Sequence, residues 1–162
     1  MLVPAISRKD ELERLFAEHL YNEDMFLYNG YPYCNQIPDL TPRENEFKWA
    51  IVDKENVVVG YFCYYINNHC DSACSFGLYS FKRDSIIGFD VYKKMKELVS
   101  TYHRVEWRMI GGNPVQKHYD RFCKRHCGNR VVLYDAVKSP NGEYQNEYVY
   151  EIVKGKKNVN WN

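Results

Sequence analysis

The stretch Phe81-Lys82-Arg83-Asp84-Ser85-Ile86-Ile87-Gly88-Phe89-Asp90 decides how this chain folds. Before it, residues 73–81 read as a β-strand. After it, Ile87, Val91, Met95, Leu98 and Tyr102 recur at helical spacing, with Lys93, Lys94, Lys96 and Glu97 on the other sides. A strand therefore passes straight into a long helix through a short polar turn. Such a junction leaves unpaired amide N–H groups and the positive end of a helix dipole at the end of a strand, where an anion can be received.

Upstream of this junction the chain reads as β. Residues 47–52 and 57–66 are strand-like runs joined by the turn Asp53-Lys54-Glu55-Asn56, and residues 67–72 turn the chain into the third strand. Earlier still, residues 2–6 predict a short strand, Ser7 with Asp10 resembles a capping box, and Leu12, Leu15, Phe16, His19 and Leu20 predict a helix. Residues 21–43, with three prolines and many aromatics, read as an irregular and partly helical cover.

Downstream, residues 104–110 predict a strand that ends at Gly111-Gly112-Asn113-Pro114. Pro114 suits the first turn of a second helix with Val115, Tyr119, Phe122 and Cys123 on its apolar face, and Gly128 is expected to stop it in the left-handed conformation. Two last strands, residues 130–137 and 148–153, flank the turn signal Ser139-Pro140-Asn141-Gly142, and residues 154–162 form a polar tail. The order β-α-(irregular)-β-β-β-α-β-α-β-β predicts one α/β domain over residues 1–153. Its sheet is mixed, mostly antiparallel and of about six to seven strands, with helices on both faces.

Composition narrows the function. A chain of 162 residues, 45% hydrophobic and 27% charged, buries a core without metal or disulfide staples. Lys plus Arg (22) nearly balance Asp plus Glu (21), so no global charge favours nucleic acid or an anionic membrane. No apolar run is long enough to span a bilayer, and no basic-then-apolar leader opens the sequence. Six cysteines are too few for a disulfide scaffold of this length, so reduced thiols in a cytoplasm are expected. Fifteen tyrosines suit a sheet and the walls of a ligand cleft.

The order of elements, from Leu2 to Val153, resembles the GNAT superfamily of acyl-CoA-dependent N-acyltransferases. Two motifs carry the resemblance. In the first junction, Ser85 stands at the Gln/Arg position, Gly88 at the first glycine and Asp90 at the final Gly/Ala of the family's Gln/Arg-x-x-Gly-x-Gly/Ala loop. In the second, Gly112-Asn113-Pro114 through Tyr119 to Gly128 is similar to the family's Asn-Pro-x(n)-Tyr-x-x-x-Gly-Phe signature. The Asn-to-Tyr spacing is one residue shorter here, and Asn129 replaces the aromatic. The resemblance implies acetyl-CoA as co-substrate. Its pyrophosphate would lie at Ser85, Ile86, Ile87 and Gly88, its pantetheine arm along Ser80 and Phe81 and beside Asn113, and Tyr119 would be the acid for the departing thiolate. The acceptor is expected to be a primary amine on a small molecule or peptide, with no metal, nucleic acid or membrane involved and a homodimer left open.

The residues themselves leave alternatives. Tyr119 shares its helix face with Val115, Phe122 and Cys123, which also suits a core tyrosine. Glu106 either reaches the cleft as a base or pairs with Arg104 or Arg108 on an exposed face. The segment Phe26 to Tyr33 falls where an acceptor loop is expected, or packs its tyrosines on the sheet. Cys70-x-x-x-Cys74 and Cys123-x-x-x-Cys127 have zinc-like spacing but lie on different elements. A non-catalytic acyl-CoA-binding or interaction module on the same fold is the competing reading, supported by the departures in the first loop.

Overall fold

A computed structural model describes residues 1–22, 24–29, 37–82 and 84–156. Seven strands form one sheet: β1 (Leu2–Pro4), β2 (Glu46–Val52), β3 (Val58–Asn67), β4 (Ser72–Ser80), β5 (Arg104–Ile110), β6 (Asn129–Lys138) and β7 (Tyr144–Val153). Their order is β1-β2-β3-β4-β5-β7-β6, and every neighbouring pair is antiparallel except β4 with β5. The helices are α1 (Lys9–His19), α2 (Asp24–Asn29), α3 (Ser85–Thr101) and α4 (Gln116–Arg125). The mixed, mostly antiparallel α/β fold expected from the sequence is the one observed.

Strand alternation divides the apolar side chains between two faces. Phe62, Tyr64, Val105, Trp107, Met109 and Tyr150 point to the side where α3 supplies Ile87, Val91, Met95 and Leu98 and α4 supplies Phe122 and Cys123. Tyr61, Tyr79, Val58 and Phe81 point to the other side, under Leu12, Leu15 and Phe16 of α1 and Met25 of α2.

The parallel contact is short. Only Ser72 with Arg104 and Ala73 with Val105 pair; beyond them β4 and β5 part. The cause lies on β4. Cys63 pairs with Gly77 and Tyr65 with Cys74, so Ser75 and Phe76 together oppose the single residue Tyr64. This two-against-one bulge holds Ser75 at φ 55 and swings the rest of β4 away from β5. It also resets the alternation. Ala73 lies on the α3/α4 face, yet so do Phe76 and Leu78, three and five residues on.

Several local expectations are corrected. Ser7 caps nothing: its hydroxyl donates to the Pro4 carbonyl at 2.7 Å, residues Ala5–Arg8 form a 3-10 turn, and α1 begins with no side-chain cap. The first strand accordingly stops at Pro4. The last strand starts at Tyr144 rather than 148, because the hairpin continues past the end of β5, with Leu133 opposite Glu147 and Lys138 opposite Tyr144. The polar tail lies outside the described residues from 157 onward.

Gly128 ends α4, but not by taking the left-handed conformation. Cys127 does so, at φ 55. The Cys127 N–H reaches the Lys124 carbonyl at 3.1 Å and the Gly128 N–H reaches that of Cys123 at 2.8 Å, the paired bonds of a Schellman motif with cysteine where glycine is usual. Gly128 is needed for space. A Cβ there would stand 2.5 Å from Cys123 Sγ and 2.6 Å from the Glu151 carbonyl oxygen. The two positions should thus respond with opposite signs. Gly128→Ala is expected to lose about 1–3 kcal/mol through overpacking, and Cys127→Gly to gain up to about 1 kcal/mol by relieving the positive φ. Urea unfolding midpoints at constant m-value check both; a stabilised Gly128→Ala would refute the packing account.

Candidate active site

The divergence of β4 from β5 exposes backbone that a sheet would ordinarily pair. The Phe81 N–H is committed to the Val59 carbonyl of β3 at 2.9 Å. Successive residues of a strand direct their amides to opposite edges, so those of Leu78 and Ser80 face the gap. Of the two strand residues assigned to a pantetheine arm, Ser80 therefore presents its main chain to the gap, and Phe81 does not. The Phe81 side chain is buried on the α1/α2 face against Phe16 and His19, with ring centroids at 4.9 and 5.4 Å. Leu78 is the residue the sequence missed. Its orientation follows from the bulge, which has no residue signature: Ser75 is neither Gly nor Asn.

At the far end of β4, α3 starts with Asp84 as its N-cap. The Asp84 carboxylate accepts the Ile86 N–H at 2.8 Å, and the Asp84 carbonyl accepts the Ile87 N–H at 3.3 Å. Ser85, at the Gln/Arg position of the loop motif, is exposed and makes no cap hydrogen bond. One of the amides assigned to a pyrophosphate is thus held by a carboxylate of the chain itself. Gly88 is exposed, and a Cβ added there would meet nothing within 4 Å, which leaves open space over the first turn. Asp90 turns away: its carboxylate pairs with the Met1 amino group at 2.5 Å. Lys82 is exposed, and Arg83 lies outside the described residues.

Across the gap, β5 leads through Gly112, at φ 82, to Asn113. The Asn113 side-chain oxygen accepts the Val115 N–H at 3.1 Å and its carbonyl accepts the Gln116 N–H at 3.0 Å, so Asn113 fixes the turn into α4. An open pocket of about 550 Å³ lies here, lined by Gly112, Asn113, Pro114, Gln116, Lys117 and Asp120. One turn into α4, Tyr119 is half-buried on the α3/α4 face, its ring edge-on to Trp107 at 5.7 Å and to Tyr150 at 6.1 Å. Its hydroxyl makes no hydrogen bond among the described residues, and burial pushes its pKa well above the ordinary phenol value. Trp107 in turn meets Phe76 of β4 at 6.1 Å and 89°, an aromatic bridge over the narrow end of the gap.

Glu106 points to the opposite face from Trp107 and Tyr119. Arg104 binds it through two nitrogens at 2.7 and 2.8 Å and also reaches Glu151 at 3.0 Å, so the paired reading holds for this carboxylate. On that face Tyr28 of α2 packs on Gly77 of β4, where a Cβ would come within 3.1 Å of its ring. Burial raises the Tyr28 pKa, with further contributions from the Cys63 thiol beside it. Residues 30–33 of the aromatic segment lie outside the described residues.

Among the described residues no three His, Cys, Asp or Glu side chains gather as metal ligands. The Cys123 thiol is buried and donates to the Asn129 carbonyl at 3.3 Å; desolvation and the Asp120 charge push its pKa to about 12, the form least suited to a nucleophile. No described helix is long and apolar enough to cross a membrane.

No protein-family model and no curated protein matches this sequence. Solved structures do match over nearly the whole chain. A GCN5-related N-acetyltransferase from Kribbella flavida superposes with a TM-score of 0.67 at 15% identity, covering 94% of this chain and 96% of its own. A spermidine N-acetyltransferase from Vibrio cholerae, solved with CoA and spermine, superposes with a TM-score of 0.64 at 14% identity, covering 93% of each chain. The likeness is one of fold: the chain shares the mixed α/β GNAT fold of these structures.

Two outcomes follow from the local chemistry. Asp84→Ala should cost about 1 kcal/mol by uncapping α3, whereas Asp84→Asn should be nearly neutral because Asn caps equally well; equal losses in thermal unfolding would deny the cap. Alkylation at pH 8 should label the exposed Cys70 and Cys127 first and Cys123 last, read by peptide mass spectrometry. Early labelling of Cys123 would contradict its burial.

Proposed function

We propose that the protein is an N-acetyltransferase that moves an acetyl group from acetyl-CoA to a primary amine by direct attack. The observation that carries the reading is the gap between β4 and β5, bordered by the gap-facing main chain of Leu78 and Ser80, with Tyr119 packed on Trp107 of β5. An extended amide-containing arm completes such an edge as an additional strand would, which satisfies backbone groups otherwise left without partners. The pantetheine portion of CoA has that form. Its diphosphate would lie at the start of α3, over Ser85, Ile86, Ile87 and the open surface of Gly88, with Asp84 yielding the Ile86 N–H. Asn113 borders the arm on the β5 side.

In the reaction the neutral amine nitrogen attacks the thioester carbonyl carbon, and the oxygen becomes an oxyanion. N–H groups on the free edge of β4 are preorganised donors for that charge, worth about 3–4 kcal/mol each where such donors have been removed from other enzymes. As the tetrahedral intermediate collapses, the C–S bond breaks. The sulfur takes a proton from the Tyr119 hydroxyl, the ammonium nitrogen gives one up to water, and Tyr119 is reprotonated from solvent. Burial keeps the Tyr119 phenol protonated but also makes it a weaker acid, which fits a modest contribution because thiolate is already a good leaving group. Glu106, held by Arg104 on the other face, is not the base in this scheme; a water chain carries the amine proton.

The acceptor is a primary amine on a small molecule or peptide. The small-molecule case is supported by the spermidine N-acetyltransferase of the same fold. The whole of residues 1–153 acts as one acetyltransferase domain in a cytoplasmic setting. The competing reading, a module that binds acyl-CoA without turnover, is favoured by the Asp84 carboxylate at the proposed diphosphate position.

Thermal unfolding with millimolar acetyl-CoA should show a rise in Tm by mass action, and no shift would reject both readings. Tyr119→Phe keeps the ring against Trp107 and Tyr150, so stability and acetyl-CoA affinity should change little. Its kcat, followed by release of free thiol, should fall about 10- to 1,000-fold. Because the phenol pKa is raised, the wild type should show no alkaline loss through Tyr119 below about pH 10. Turnover unchanged in Tyr119→Phe would make Tyr119 a packing residue only.

A further inference from the structure

The narrow end of the gap has a wall, and the wall has a fixed and a replaceable half. Trp107 is 1% exposed and stacked flat on Tyr150 at 5.0 Å and 7°; the Tyr150 hydroxyl donates to Asp120 at 2.9 Å, and Arg130 holds the same carboxylate at 3.1 Å. The indole is thus locked from β7 and α4. Phe76 comes from the opposite strand. It sits in the bulge, is partly exposed, and leans on Phe62 at 5.8 Å and Tyr64 at 6.0 Å while meeting Trp107 edge-on. Tyr119 touches the same Trp107 ring.

From this arrangement we infer that Phe76 and Trp107 set the acyl specificity of the site, admitting a two- or three-carbon acyl group and excluding longer chains. The inference rests on the acyl-CoA reading. A thioester sulfur within reach of the Tyr119 hydroxyl places the acyl carbons toward the narrow end, where the strands approach their paired residues Ala73 and Val105. There the two aromatic rings bridge from strand to strand. A short acyl group ends against them, and each added methylene must displace an aromatic ring from a packed cluster. Apolar pockets discriminate by about 10- to 200-fold per methylene on this principle. The bulge supplies the wall as well as the gap: by adding one residue to β4 it turns Phe76 onto the Trp107 side, where regular alternation from Ala73 would have placed Ser75.

The test compares acetyl-CoA, hexanoyl-CoA and CoA itself, by calorimetric affinity and by thiol release, on wild type, Phe76→Ala and the milder Phe76→Leu. Wild type should prefer acetyl-CoA to hexanoyl-CoA by at least about tenfold. The preference should shrink in Phe76→Leu and disappear or reverse in Phe76→Ala, with CoA affinity the same in all three. Phe76→Leu retains an apolar side chain and keeps the test informative if Phe76→Ala fails to fold. A preference unaltered in Phe76→Leu, or a wild type that takes both chains equally while binding CoA, would overturn the inference and leave the acyl-CoA reading standing. No binding of CoA to wild type would remove that reading, and this one with it.

Discussion

One extra residue in β4 governs the rest of the molecule. Without the Ser75–Phe76 bulge, β4 would continue parallel to β5 from Ala73/Val105 and the sheet would close, with every backbone group in its middle satisfied. With it, two strands leave a common root and separate, and main chain without a strand partner borders a gap in the middle of the sheet. That is costly unless something else supplies the missing hydrogen bonds. The positive φ of Ser75 adds strain that glycine would have avoided. A fold keeps such a feature where the open edge is used.

Each neighbouring element is placed by this separation. α3 begins where β4 ends, so its N-terminus lies at the wide end of the gap, and α4 begins just after β5, with Tyr119 packed on Trp107 of β5. The two helices meet behind it through Tyr92, whose ring lies edge-on to Phe122 at 5.4 Å and whose hydroxyl accepts from Arg125 at 2.8 Å. Asp120, bound by Tyr150 and Arg130, fastens α4 to β7 and β6. The helix carrying the candidate acid is therefore tied to the sheet by half-buried polar contacts as well as by packing, which fixes an orientation that apolar contact alone leaves loose.

The fold was legible because its long elements are strongly periodic. Residues 104–110 were read at their observed bounds, and the helix after Ser85 announced itself through Ile87, Val91, Met95 and Leu98. What escaped was set by backbone geometry with no side-chain signal. A bulge at serine, a left-handed cysteine before a glycine, and a hairpin outrunning its neighbouring strand each depend on partners distant in sequence. The candidate site shows the same division. Asn113 and Tyr119 could be picked out by motif, but the direction of the Leu78 and Ser80 amides depends on the bulge, and Asp84 and Ser85 are both residue types that cap a helix.

Asp84 brings the two halves of the site into competition. A carboxylate on the Ile86 amide satisfies one of the first-turn donors of α3 in the absence of ligand. An anionic ligand bound there must displace it and endure its charge nearby, so the stability that Asp84 gives to the helix is subtracted from the affinity for the ligand. The cap is worth about 1 kcal/mol, a factor of roughly five in affinity, and the unscreened repulsion adds to it. By contrast, among the described residues none supplies partners for the gap-facing main chain of Leu78 and Ser80 as Asp84 does for Ile86. The structure thus places its unmet hydrogen-bonding demand along the strand and not at the helix. On the proposed acyl-CoA reading, recognition would be weighted toward the amide-bearing arm over the phosphates, and that arm would end at the aromatic wall of Phe76 and Trp107.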